Sequence, residues 1–118
     1  MLPLVKREEL KAEIEAGSVT VVDTMPVDYY EREHLPHAVN IPGFPYEDAF
    51  RFTDELAPTV LPDRSAPIVV YCANVPCRNS ELVGTRLVEL GYTHVRKYLE
   101  GIEDWVSGGL PTEKSPAG

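Results

Sequence analysis

Residues 67–71, Pro67-Ile68-Val69-Val70-Tyr71, form an unbroken apolar run that stops at Cys72. A run this short, rich in β-branched residues, reads as a buried strand. A brief loop follows, then an amphipathic helix that begins near Ser80. The succession of strand, loop and helix recurs along the chain, and it limits the fold more than any other feature.

Residues 6–16 place Leu10, Ala12, Ile14 and Ala16 among charged residues, with Gly17 as a stop, which predicts a surface helix. Val19-Thr20-Val21-Val22-Asp23 is a second buried strand, ending on an acid. Residues 26–32 read as a short helix with Pro26 in its first turn. Ala38-Val39-Asn40-Ile41 is a brief strand cut off by Pro42-Gly43. Residues 44–52 are aromatic and loop-like, and 53–61 predict a capped helix ended by Pro62-Asp63. The helix over 80–90 turns Leu82, Val83, Leu87, Val88 and Leu90 inward, and Gly91 closes it. Residues 93–98 give another strand. A last helix carries Ile102, Val106 and a core Trp105, ended by Gly108-Gly109. Strands alternating with helices predict an α/β layer with a mainly parallel sheet. Ligands bind such sheets beyond the C-terminal ends of the strands, where Cys72 and Asp23 both stand.

At 118 residues the chain is expected to form one domain over residues 1–111, with a polar, frayed tail over 112–118. A domain of this size buries roughly 65% of its unfolded-chain surface, enough to fold without disulfides or metal. No stretch has the length of a membrane span. The first residues lack the basic-then-apolar order of a secretion signal, so a cytoplasmic location is expected. The formal net charge of −8 disfavours nucleic acid and anionic membranes as partners. It also repels small anions, so any anion site must rest on local fields from loop amides and Arg78. The sequence assigns no oligomeric state.

The loop Cys72-Ala73-Asn74-Val75-Pro76-Cys77-Arg78-Asn79 carries the chemistry. A strand-end thiol ahead of a helix N-terminus lies where backbone N–H groups converge, and such a cradle favours negative charge. It lowers the thiol pKa and presents a thiolate. The two cysteines cannot make a zinc site alone, and His34, His37 and His94 lie elsewhere without ligand spacing. A Cys72–Cys77 disulfide would close a small ring and add little stability, although a transient redox pair fits a reducing compartment. The other reading makes both cysteines small buried apolar residues, with Cys77 the better suited to that role.

Three pieces of the chain resemble the signatures of rhodanese-type domains. The first is Asp23, Tyr30 and His34-Leu35-Pro36-His37-Ala38-Val39-Asn40-Ile41-Pro42. The second is Val70-Tyr71-Cys72 with Leu90-Gly91-Tyr92 and Val95. The third is Glu100-Gly101-Ile102-Glu103-Asp104-Trp105 with Gly109-Leu110-Pro111. The resemblance implies a rhodanese-like α/β fold, a five-stranded mainly parallel sheet flanked by helices on both faces. It implies a sulfurtransferase in which Cys72 is the nucleophile and carries a persulfide, with residues 73–79 as the substrate-binding loop. The donor would be thiosulfate or a persulfide and the acceptor a thiol, small or on a protein, or cyanide. No metal or organic cofactor is expected. Asp23 and His34 would support the loop, and Arg32, Arg51 and Arg64 are candidates for the pocket rim.

The chain departs from the commonest family pattern in several places. Its loop has no glycine and is about two residues longer; Pro76 removes one amide donor, and Asn74 is the residue suited to a left-handed turn. Met25 stands in place of a frequent arginine, and Glu100-Gly101 in place of Gly-Gly. Cys77 could attack the Cys72 persulfide, form an internal disulfide and release sulfide; packing beneath the loop is the slightly preferred alternative. Cys72 to Arg78 also satisfies the C-x5-R spacing of cysteine phosphatases and arsenate-reductase-like enzymes, although Tyr71 stands where that class usually has His. A third reading is a non-catalytic rhodanese-like binding module.

Overall fold

The computed structural model describes residues 2–115. Four parallel strands, β1 (Thr20–Asp23), β2 (Val39–Asn40), β3 (Ile68–Tyr71) and β4 (Val95–Tyr98), lie in the order β2-β1-β3-β4. Five helices surround them: α1 (Arg7–Ala16), α2 (Val27–Arg32), α3 (Ala49–Val60), α4 (Asn79–Glu89) and α5 (Gly101–Ser107). The expected fifth strand is reduced to one residue. Leu4 makes a single parallel bridge to Lys97, with Val5 N–H donating to Lys97 O at 3.0 Å and Lys97 N–H to Pro3 O at 2.8 Å. Pro3 has no amide hydrogen to donate, and α1 begins at Arg7, so the pairing ends there.

All four residues of β3 are buried, and their side chains divide between two cores as the pleat requires. Ile68 and Val70 pack with Val22, Val95, Ala57, Val83 and Leu87 under α3 and α4. Val69 and Tyr71 pack with Val21, Leu10, Tyr98 and Trp105 under α1 and α5. Trp105 is the core aromatic that the sequence predicts, edge-on to Tyr98 with its indole N–H donating to Pro111 O at 2.8 Å.

Other sequence expectations are corrected. Helix α3 begins at Ala49, not Thr53. Both residues are buried, four apart, and the Thr53 hydroxyl donates to Ala49 O at 2.8 Å. Thr53 is therefore a mid-helix core residue instead of a cap. Val88, expected on the inward face of α4, faces outward and is about half exposed. The frayed tail is, over its first part, tied down. Glu113 pairs with His34 through two backbone hydrogen bonds of 2.9 and 2.8 Å, and its side chain accepts from His37 N–H at 2.9 Å. Ser115 N–H donates to Glu31 O at 3.1 Å. Residues 116–118 lie outside the described part.

Candidate active site

The C-terminal ends of β1 and β3 meet at Cys72. Asp23, the last residue of β1, is buried beside Tyr71, the last of β3. Its carboxylate accepts from the Tyr71 hydroxyl at 2.6 Å and from Met25 N–H at 2.7 Å. The same tyrosine oxygen accepts from Leu35 N–H at 3.0 Å, so one phenol fastens the segment after α2 to the strand end. Burial pushes the Asp23 carboxyl up to about 6, held back by the hydrogen bonds from Tyr71 and Met25. Burial and the neighbouring Asp23 charge push the Tyr71 phenol well above its usual range, so it stays protonated and donates.

A carboxyl whose pKa rises on folding favours the folded state only where it is protonated. Below its ordinary value of 3.8 Asp23 is neutral folded or unfolded; between there and about 6 the folded protein binds the extra proton. The Asp23 contribution to stability thus falls as pH rises through that window, by on the order of 2 to 3 kcal/mol. Asp23→Asn should remove this slope: denaturant titrations from pH 4 to 7 should show the stability of the native protein relative to the variant declining with pH. A difference that stays flat or grows would contradict the assignment.

Helix α5 holds the loop from behind. Ile102 N–H donates to Cys72 O and Glu103 N–H to Ala73 O, both at 3.0 Å, and the Asn74 amide donates to Glu103 Oε2 at 3.1 Å. Asn74 does not supply a left-handed turn, because the sole non-glycine residue with positive φ among those described is His37, at 63°. Its role is this side-chain anchor. Cys77 N–H donates back to Asn74 O at 3.3 Å, folding Val75 and Pro76 into an exposed turn. At the far end, the buried Asn79 amide donates to Thr24 O at 2.9 Å and docks the start of α4 against β1.

Cys72 and Cys77 form a disulfide, with Cα atoms 6.3 Å apart. The preference for Cys77 as a packing residue is corrected by this bond; the turn at Val75-Pro76 carries Cys77 back over the strand end. Cys72 is buried and Cys77 half-buried. Met25 Sδ lies 3.5 Å from Cys72 Sγ, so the residue replacing the family's frequent arginine touches the sulfur itself. Among the described residues, no hydrogen bond engages the N–H groups of Ala73, Asn74 and Val75, or those of Arg78, Asn79, Ser80 and Glu81 at the head of α4. The first N–H groups of any helix lack an intrahelical partner, so those of α4 stand open at the strand end, and the helix dipole adds to their field.

Arg78 is exposed, with its guanidinium 5.5 Å above the Tyr46 ring. Arg51 stacks on Phe52 and pairs with Asp48 and Glu55, and Arg64 lies over Tyr92. Arg32 does reach a rim: with Met25, Tyr29, Glu33 and Ile102 it lines a cavity of about 250 Å³, two of whose walls, Met25 and Ile102, also touch Cys72. A larger hollow of about 310 Å³, lined by Lys6, Arg7, Glu8, Glu100 and Asp104, holds mutually paired charges and no nucleophile. His34 is buried, stacked on Tyr30 at 4.1 Å between centroids, with Nδ1 2.7 Å from Tyr30 O. It braces the segment after α2 and does not enter the loop. Met25 and Glu103 are the site residues that sequence reasoning did not select. Met25 departs from the family pattern at its position, and Glu103 lies in the third signature, but its contact to Asn74 depends on where α5 docks.

A strand-end cysteine in a loop between a central parallel strand and a helix marks one class of α/β domains. The pattern of the rhodanese-like domain matches residues 6–108, and the chain belongs to that family. It is 32% identical over 115 residues to the HTH-type transcriptional regulator Rv0324 of Mycobacterium tuberculosis, covering 97% of this chain and 46% of the relative. It is 27% identical over 88 residues to the adenylyltransferase and sulfurtransferase UBA4 of Candida albicans, covering 72% of this chain and 19% of that protein. The chain thus spans less than half the length of either relative. A solved rhodanese with anions from E. coli superposes with a TM-score of 0.62 at 29% identity, covering 82% of this chain and 99% of that one.

Proposed function

We propose that the domain transfers sulfane sulfur through Cys72. In the reduced protein the Cys72 thiolate attacks the outer sulfur of a donor, the donor's remainder leaves, and Cys72 holds the sulfur as a persulfide. The negative charge then sits on the outer sulfur, among the unengaged amides of Ala73 to Val75 and of the first residues of α4. An acceptor thiol or cyanide removes it. A strand-end cysteine at the head of α4, next to these open amides, carries the reading. The named sulfurtransferase relative and the anion-bearing E. coli rhodanese support it.

The surroundings of Cys72 favour an organic persulfide over thiosulfate. Thiosulfate is a dianion, and Met25 sets a neutral sulfur 3.5 Å from the Cys72 sulfur. The adjoining cavity, walled by Met25, Tyr29 and Ile102, suits the carbon skeleton of a persulfide, with Arg32 at its rim. Reduced protein mixed with cysteine persulfide should release one free thiol per chain in a rapid burst. The corresponding sulfite burst from thiosulfate should be slower. Equal rates would contradict the donor preference, and no burst from either donor would contradict sulfur transfer.

The partial match to a transcriptional regulator favours a second reading, in which the domain serves as a non-catalytic module. A Cys72 inert towards both donors and towards iodoacetamide after reduction would select it.

A further inference from the structure

We propose that Cys72 and Cys77 work as a resolving pair, making the domain a dithiol-dependent reductase of sulfane sulfur that releases hydrogen sulfide. The proposal rests on the reading of Cys72 as sulfur acceptor, and adds a second catalytic residue, a different product and a different co-substrate.

The two sulfurs are within bonding distance in the folded protein, because they are bonded. No rearrangement of the sheet or of α4 is needed to bring them together: the loop is fixed at Cys72 and Ala73 by α5 and at Asn79 by Thr24. Between these anchors, Cys77 is held by one backbone hydrogen bond of 3.3 Å to Asn74 O, beside the exposed Val75, Pro76 and Arg78. A thiol confined this way next to a persulfide reacts at an effective concentration that no solution thiol reaches.

The chemistry balances in three steps. The Cys72 thiolate attacks the outer sulfur of a persulfide R–S–SH, releasing R–SH and leaving Cys72–S–SH. The Cys77 thiolate then attacks the inner sulfur, Cys72 Sγ; the Sγ–Sγ bond forms, the bond to the outer sulfur breaks, and that sulfur departs with its proton as hydrosulfide. The sulfane sulfur has gained two electrons and the two thiols have lost them. A dithiol closes the cycle: one of its thiolates attacks Cys77, the more accessible sulfur, and expels Cys72 as the amide-stabilised thiolate. Its second thiol then displaces Cys77 and leaves as a cyclic or protein disulfide.

The test is a single turnover under anaerobic conditions. Protein reduced with a dithiol and freed of it is mixed with one equivalent of cysteine persulfide, with thiosulfate in a parallel arm. Sulfide, free thiols, donor remnant and intact mass are followed for the native protein and for Cys77→Ser. The native chain should release one sulfide, lose both thiols and end two hydrogens lighter. Cys77→Ser should gain the mass of one sulfur and keep it, with sulfide release slowed by roughly a hundredfold or more. A native chain that keeps the added sulfur with both thiols uncrosslinked overturns the resolving role while leaving sulfur transfer intact. The absence of donor remnant from both proteins overturns sulfur transfer itself, and this proposal with it.

Discussion

Reduced Cys72→Ser should show no donor-remnant burst, its rate of sulfur uptake falling by roughly a thousandfold or more against reduced native protein. The expectation follows from where the residue sits. A serine hydroxyl in the same cradle stays protonated at neutral pH, and its oxygen is no substitute for a thiolate towards sulfane sulfur. Comparing reduced proteins matters, because the oxidised native chain also carries a six-residue disulfide ring that stabilises it by about 2 kcal/mol in the chain-entropy account. The substitution leaves Asp23, Tyr71 and the α5 anchors in place, so the variant should unfold at the same denaturant concentration as the reduced native protein. An undiminished burst would mean that another residue takes the sulfur.

Gly101→Ala should produce the largest loss of stability of any single-methyl change near the site, about 2 to 5 kcal/mol. Gly101 has φ of 75°, in the left-handed region, where a Cβ costs about 1 to 2 kcal/mol. The added carbon would also meet Cys72 O at 2.5 Å and the Ala73 carbonyl at 2.6 Å, backbone atoms that cannot swing aside. Relieving such overlap costs roughly a further 1 to 3 kcal/mol. The hydrogen bonds from Ile102 and Glu103 that hold the loop are made from the same turn, so the burst should shrink together with the stability. A variant within about 0.5 kcal/mol of the native protein would show that α5 does not press on the loop as described.

Which parts of this site could be read from sequence follows from the range of the interactions involved. Strands β1 and β3 and the position of Cys72 are local consequences of apolar runs that stop at polar residues, and they were legible. The start of α3 was not. Residues 44–52 look like an aromatic loop until Ala49 and Thr53 are seen to share a buried face on α3, which packs against α4. The fifth strand that the family likeness implies has no apolar run of its own in the sequence, and the structure reduces it to the single Leu4–Lys97 bridge. Asn74 suits a left-handed backbone by residue type, but its partner Glu103 lies on an element that sequence spacing cannot place. For Cys77 the sequence slightly favours packing over bonding, and the turn through Val75-Pro76, which sequence spacing does not reveal, brings it to Cys72 instead.

The most direct measurement is the location of the transferred sulfur. Reduced Cys77→Ser protein, treated with cysteine persulfide, alkylated and digested, should yield the peptide containing Cys72 heavier by one sulfur atom, blocked by alkylation at that outer sulfur. An unmodified Cys72 peptide, after the donor has released its thiol, would contradict the account.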